Sequence, residues 1–255
     1  MIKILIKILY LILAAVFIVS LFKVKDFPPQ DKIDPKLLNE PKQTETRRED
    51  FDFNYREKNY YVKPLAEYEL WGLVVTHNNI GAWYNYYHDE NSVNLKDLCV
   101  VWGPNIENGV YREKEISFKS GEWTCYSQWS GGLKETFYPN KLSNNHLLSS
   151  DKEIQDTIRS VNIGDQVYLK GALVDYREEG NEWYRMTSIS RDDSNQNSRS
   201  GGACEVFFVD EIKILKSNQV YWHLTNRWSK RAILLLIILQ FIIFIIKSKK
   251  QLFSK

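Results

Sequence analysis

A histidine close to a predicted helix is the first candidate for chemistry in this 255-residue sequence. His146 ends the stretch 143–146 (SNNH), directly before a segment with helix-start features. A histidine held by a carboxylate or a hydroxyl can act as a general base. We therefore name His146, with Asp192 or Asp193, as the candidate catalytic residues of a hydrolase. The alternative is that 143–146 is a loop whose side chains bond the backbone.

The two carboxylates belong to a polar stretch at 190–202, which we predict to be a long loop. Arg191 and Arg199 flank them and are candidate ligand-binding residues. Paired carboxylates could also hold a divalent cation, and a solvated loop is the alternative. No His-x-His, His-Glu-x-x-His or Cys-x-x-Cys spacing occurs, so neither a metal nor any other cofactor is predicted.

Aromatic residues form a second group of candidate ligand contacts. Trp83, Tyr86 and Tyr87 lie within one irregular segment of the sequence. Exposed rings with carboxylates nearby suit the binding of a sugar or a peptide. Packing of these rings beneath a long loop is the alternative reading.

The three cysteines each fall in, or at the edge of, a predicted strand. Cys99, Cys125 and Cys204 allow one disulfide and one free thiol in an oxidising compartment. The alternative is three small buried side chains that behave as apolar residues.

Apolar segments at both ends of the chain predict that these candidates belong to a membrane protein. Uncharged runs of 15 residues occupy 8–22 and 232–246, with Lys and Arg at their flanks. Flanking side chains can snorkel, which extends a short span. We predict an anchor at 1–24, although a cleaved signal peptide is its alternative. A second transmembrane helix is predicted at 231–247, preceded by a juxtamembrane segment at 217–230 and followed by a basic tail at 248–255.

The charges are distributed unevenly along the sequence. All 32 Asp and Glu lie between Asp26 and Glu211, with 21 Lys and Arg, which gives this span a formal charge of −11. An acidic domain repels polyanions, so no nucleic-acid partner is expected. Lys and Arg slightly favour both termini inside. We expect a two-pass protein of the bacterial cytoplasmic membrane, with cytoplasmic termini and a periplasmic or extracellular central domain.

The central region divides into two parts by composition. Residues 25–63 are polar and proline-containing, which predicts an extended spacer. Residues 64–216 contain strand-like runs at 69–76, 97–102 and 166–173, a return strand at 183–189 and a last strand at 204–215. The capping-box spacing that starts at Ser150 predicts a short helix at 151–160. Strands with one helix after the third predict a mainly β, OB-like small barrel; another barrel or a sandwich is the alternative.

Several short segments resemble a group of uncharacterised bacterial membrane-anchored proteins. The matching segments are 71–75 (WGLVV), 97–103 (DLCVVWG), 118–125 (FKSGEWTC), 142–148 (LSNNHLL), 164–171 (GDQVYLKG) and 202–205 (GACE). The resemblance implies that residues 71–215 form one unit, and it assigns a role to no residue. The leading functional hypothesis is an envelope protein whose β domain binds a protein or glycan partner beside the lipid bilayer. A hydrolase using His146 is the alternative, and nucleic-acid binding by an OB barrel is the third.

Overall fold

The computed structural model describes residues 2–80, 92–121, 124–132, 136–189 and 204–252. The chain divides into two compact units, which are Met1–Asp26 with Gln219–Lys255 and, separately, Phe27–Asn218. The first unit is helical and the second is mainly β, so the predicted fold class is confirmed at that level. The helices and strands in chain order are α1 (Ile2–Lys23), β1 (Lys42–Glu45), β2 (Phe51–Tyr55), β3 (Lys58–Asn79), β4 (Lys96–Val101), α2 (Pro104–Glu107), β5 (Ile116–Ser120), β6 (Cys125–Trp129), β7 (Leu142–Leu148), α3 (Lys152–Ser160), β8 (Gln166–Glu178), β9 (Cys204–Lys216) and α4 (Val220–Leu252).

The helical unit pairs α1 with α4, and both helices are long and apolar enough to cross a membrane. The candidate spans are Ile4–Lys23, with 20 residues, and Val220–Ile246, with 27 residues. At about 1.5 Å per residue, 20 helical residues cover about 30 Å, which is the thickness of a hydrocarbon core. Their large apolar side chains are mostly exposed. Between the helices, Asn226 Nδ2 donates to Ser20 Oγ at 2.9 Å.

One seven-stranded sheet organises the β unit. The long strand β3 pairs with β4 through its C-terminal part and with β8 through its N-terminal and middle parts. The further pairings β4–β7, β7–β9 and β9–β8 return to β3, so these five strands form a ring of neighbours. Among these neighbours β7 and β9 are parallel, and every other pairing of the ring is antiparallel. Strands β1 and β2 add to β3, and β5 with β6 forms a separate hairpin.

Strands β4 and β7 are buried along their whole lengths because apolar clusters lie on both faces of the sheet there. Leu98 and Val100 join the larger cluster, with Leu169. Cys99 and Val101 point to the other face and join a smaller cluster. A polar side chain on either strand is therefore withdrawn from water and needs a protein partner.

The close approach of β8 and β9 depends on a glycine. The pairing register shifts between Lys170 and Gly171, which marks a bulge. A Cβ atom on Gly171 would lie 2.0 Å from the backbone oxygen of Phe208. Any other residue would push the two strands apart, so this position requires glycine.

Helix α3 fills the sequence position predicted for a helix. Asp151, one residue later than expected, is its N-cap and accepts from the backbone N–H groups of Glu153 and Ile154. At the C-terminal end, the buried Lys96 Nζ donates to the carbonyl oxygens of Arg159 and Val161. Burial lowers the pKa of Lys96 to about 7, which the charge of Asp165 partly opposes.

Two segments differ from their predicted form. Residues 27–63, expected as an extended spacer, belong to the β unit. They contribute β1 and β2 to the sheet and the fully buried Leu37 to the core. Residues 183–189, expected as a return strand, form only the bridge between Tyr176 and Arg185. A different set of bonds holds that segment: Thr187 N donates to Asp175 Oδ1, and Val206 N donates to Thr187 Oγ1.

Candidate functional site

His146 lies in the middle of a buried strand rather than in a loop. In β7 it pairs with Asp97 of β4 on one side and with Val206 of β9 on the other. Two residues earlier, Asn144 pairs with Cys99 and with Cys204. Because side chains alternate along a strand, Asn144 and His146 share one face of the sheet.

A carboxylate fixes the ring of His146. The Nδ1 atom lies 2.6 Å from Asp97 Oδ1, and both side chains are buried. Asn94 Nδ2 donates to the same Asp97 oxygen at 2.6 Å. The ring therefore gives its Nδ1–H to Asp97 and directs Nε2 to the opposite side, as an oriented general base requires.

Two further groups contact the His146 ring. Arg185 Nη2 lies 3.0 Å from Nε2. The thiol of Cys204 shares a hydrogen bond with the His146 ring. We call Asp97, His146, Arg185 and Cys204 the thiol cluster. It joins strands β4, β7 and β9 with the extended segment after β8.

The ionisation of the histidine reflects competing neighbours. Burial alone lowers the pKa of His146, but the charge and hydrogen bond of Asp97, helped by Cys204, raise it to about 9. Arg185 acts in the opposite sense, because a guanidinium has only donors and needs a lone pair on Nε2. The Arg185 contact therefore favours the neutral ring, whereas the charge of Asp97 favours the imidazolium.

Cys204 is buried and its thiol is acidified. Burial raises the pKa of this thiol, yet hydrogen bonds from His146, Thr124 and Asn144, together with the charge of His146, hold it below its usual value. Asn144 Nδ2 lies 3.6 Å from the sulfur. A thiolate stabilised by an imidazolium is the form in which cysteine acts as a nucleophile.

Cys204 is also the one cysteine of the chain outside a disulfide. Cys99 of β4 and Cys125 of β6 are bonded, with Cα atoms 6.0 Å apart. The structure thus has the predicted alternative of one disulfide and one thiol, with Cys204 as the thiol. The disulfide joins the β5–β6 hairpin to β4, at the position where Cys99 pairs with Asn144 of β7.

Most of the other predicted site residues lie outside the part of the chain that the structure describes. They are Trp83, Tyr86, Tyr87, Arg191, Asp192, Asp193 and Arg199. The carboxylate in contact with His146 is Asp97, which the sequence analysis did not select. One signal pointed to it: Asp97 begins an otherwise apolar run, and a carboxylate in such a strand needs a buried partner. Arg185 carried no comparable signal.

A cavity of about 370 Å³, lined in part by Lys32, Gln166 and Lys216, includes no residue of the thiol cluster. Among the described residues, no group of three His, Cys, Asp or Glu is placed to hold a metal ion.

No protein family model, curated protein or solved structure matches the chain. Its function must therefore be inferred from the geometry itself.

Proposed function

We propose that the β unit is a thiol-dependent acyl hydrolase or acyltransferase. The observation that carries the proposal is the contact series from Asp97 through His146 to Cys204. In this proposal Cys204 is the nucleophile, His146 is the general base, and Asp97 positions the ring. It changes the predicted hydrolase in two respects: Cys204 is the nucleophile, and Asp97 takes the place proposed for Asp192 or Asp193.

The proposed reaction follows from the atoms in contact. The thiol of Cys204 gives its proton to His146 Nε2, and the sulfur attacks the carbonyl carbon of an ester, thioester or amide. The leaving group departs with the proton from His146, and an acyl-thioester remains on Cys204. Water or another acceptor then attacks this thioester and gives a proton to His146, which passes that proton to the departing sulfur of Cys204. Asp97 stabilises the imidazolium at each stage.

The test is hydrolysis of activated esters and thioesters by the full chain in detergent micelles. We expect Cys204→Ser to abolish turnover and acyl-enzyme formation. His146→Gln should lower turnover by about 10²- to 10⁴-fold, which is the usual contribution of a general base. Tyr138→Ala, which removes an exposed ring outside the thiol cluster, is the control. Equal residual activity in the wild type and Cys204→Ser would refute the proposal.

We also propose that the five-stranded ring is an OB-type barrel. Its support is the strand order β3–β4–β7–β9–β8, the parallel β7–β9 pair and the position of α3 between β7 and β8. In OB folds the second and third strands and the loops beside them bind ligands. By this analogy β4 and β7, which carry Asp97 and His146, form the ligand face. The charge of −11 argues against nucleic acid as the ligand.

The location that we propose is the outer side of a bacterial cytoplasmic membrane, with both termini inside. Its support is the pair of apolar helices and the Lys and Arg that flank them. The Cys99–Cys125 disulfide adds support, because disulfides persist in oxidising compartments such as the periplasm.

A second candidate function is the binding of an envelope protein or glycan. The observation that favours it is the exposure of Trp183, at 84%, and Tyr184, at 45%, on the segment that carries Arg185. Exposed rings of this kind are typical of binding surfaces. We expect the full chain to capture an envelope component. Trp183→Ala should lose this capture, and Tyr138→Ala should keep it. Equal capture by both variants would remove this candidate.

A further inference from the structure

A cavity in the β unit is separate from the residues of the proposed chemistry. Its volume is about 370 Å³, and ligand pockets usually enclose roughly 300–1,000 Å³. The lining includes Asp31 and Lys32 from the segment after α1, Gln166 at the start of β8, and Lys216 and Ser217 at the end of β9. A space of this size suits a small polar group.

Hydrogen bonds hold the lining segments in place. The buried Gln166 donates through Nε2 to the carbonyl oxygen of Lys32 at 3.0 Å. The backbone N–H of Asn218 donates to Oδ1 of the buried Asp165 at 2.8 Å. Lys216 Nζ joins the two segments, because it donates to the same Lys32 oxygen at 3.1 Å. The cavity is therefore built by contacts that do not require a ligand.

Two amines give the cavity an excess of positive charge. Lys216 Nζ uses one of its three donors on a neutral carbonyl, and within the described part of the chain no carboxylate forms an ion pair with it or with Lys32. With two lysines and one aspartate, Asp31, the lining has a net charge of +1. A phosphodiester has a single negative charge, and lysine is a common ligand of phosphate groups. Asp31 opposes the binding of a more highly charged phosphate.

The lining segments are also those that lead to the two apolar helices. Lys216 stands four residues before Val220, the first residue of α4, so extended backbone separates them by at most about 14 Å. From Val220 the candidate span of 27 residues covers about 40 Å, at about 1.5 Å per residue. That length matches a bilayer with its headgroup layers. If α4 crosses a membrane, Lys216 is therefore close to the headgroups.

We propose that this cavity binds the headgroup of an anionic phospholipid, with the phosphodiester held by Lys32 and Lys216. Basic pockets beside membrane helices are typical sites for such headgroups. The site is independent of the thiol function and requires only that the apolar helices lie in a membrane. It would fix the β unit against lipids of one charge class.

Phosphatidylglycerol and phosphatidylcholine with identical acyl chains test the proposal. Both contain a phosphodiester, but the quaternary ammonium of phosphatidylcholine makes its headgroup neutral. Native mass spectrometry of the full chain, released from detergent micelles, measures the apparent Kd for each lipid. We expect the wild type to bind phosphatidylglycerol about 25-fold more tightly, because each lysine beside an anionic headgroup contributes about fivefold.

Removal of the two amines should remove this preference. In Lys32→Gln/Lys216→Gln the two lipids should bind with nearly equal Kd, and each single variant should keep a preference of about fivefold. Both side chains are exposed, so Tm should stay as in the wild type. Lys36→Gln/Lys170→Gln is the matched control: it removes the same charge at two exposed lysines outside the cavity and should keep the full preference.

Several results would overturn the lipid site. Equal Kd values for the two lipids in the wild type would remove the recognition of charge. An unchanged preference in Lys32→Gln/Lys216→Gln would place the lipid elsewhere on the chain, and an equal loss in the control would assign the preference to net charge. Displacement of phosphatidylglycerol by an equal concentration of glycerol 3-phosphate would make a soluble phosphate ester the ligand. The thiol function is tested separately by ester hydrolysis and survives each of these results.

Discussion

At the scale of single residues, the sequence identified His146 for its chemistry but paired it with Asp192 or Asp193 and not with Asp97. His146 attracts attention because it stands among polar residues before a helix. Asp97 is 49 positions away, and only the antiparallel register of β4 and β7 brings the two side chains to 2.6 Å. Contacts of this kind depend on strand pairing, which local patterns do not encode.

The Asp97–His146 pair should make stability depend on pH. The folded pKa of His146, about 9, lies above the ordinary value of 6.5. Its stabilisation is therefore fully present below pH 6.5 and is lost as pH rises through 9. Asp97→Asn removes the main cause, so it should cost roughly 3 kcal/mol at pH 6 and little at pH 9.5. Urea unfolding of the full chain in micelles at both pH values measures this.

Two results would give the opposite answer. A difference between the wild type and Asp97→Asn that is the same at pH 6 and pH 9.5 would mean that His146 does not titrate in this interval. A difference that grows with pH would mean that the folded pKa lies below the unfolded one. Asp156→Asn, at an exposed carboxylate on α3, is the control and should show only a small effect.

At the scale of elements, apolar strands were predictable and polar ones were not. The runs at 69–76 and 204–215 lie in β3 and β9, and the run at 97–102 overlaps β4, because their side chains are apolar enough to mark a buried strand. The sequence predicts no strand at the position of β7, since 143–146 is polar on both faces and fits a loop as well. Several of its polar atoms are bonded internally: Asn145 Nδ2, for example, donates to Ser143 Oγ and to the carbonyl of Leu98. Such pairing allows burial that composition argues against.

The β8–β9 bulge gives a prediction about an element. Gly171→Ala places a methyl group 2.0 Å from a backbone oxygen, so one strand must move. We expect a loss of roughly 3 kcal/mol, because strands packed on both faces cannot adjust freely. For a unit of this size that lowers Tm by about 10 °C.

A second glycine provides the control for this experiment. A Cβ at Gly132 meets nothing within 4 Å, so Gly132→Ala should leave Tm unchanged within about 2 °C. Thermal unfolding of the full chain in micelles, followed by tryptophan fluorescence, compares the two variants. Similar Tm values for both variants would show that β8 and β9 move apart at little cost, and the described close approach at Gly171 would then need revision.

At the scale of the whole molecule, the division into apolar ends and an acidic middle was visible in the sequence, whereas the start of the β unit was not. Residues 27–63 resemble a spacer because β1 (KQTE) has no apolar side chain. Such a strand lies at the side of a sheet and is held by main-chain bonds to β3. Composition records side chains and not backbone pairing, so it misses strands of this type.

The proposed arrangement of the molecule in a membrane gives the last prediction. If both helices span, the β unit and the C-terminal tail must lie on opposite sides. We would place a single thiol in a Cys204→Ser background, either by Ser130→Cys in an exposed part of the β unit or by Ser254→Cys in the tail. A membrane-impermeant maleimide should label position 130 in intact cells and position 254 only after permeabilisation.

The Cys99–Cys125 disulfide remains closed in both variants and provides the internal control. The reverse labelling pattern would place the disulfide and the thiol cluster in the cytoplasm, where thiols are kept reduced. Labelling of both sites in intact cells would mean that α4 does not cross the membrane.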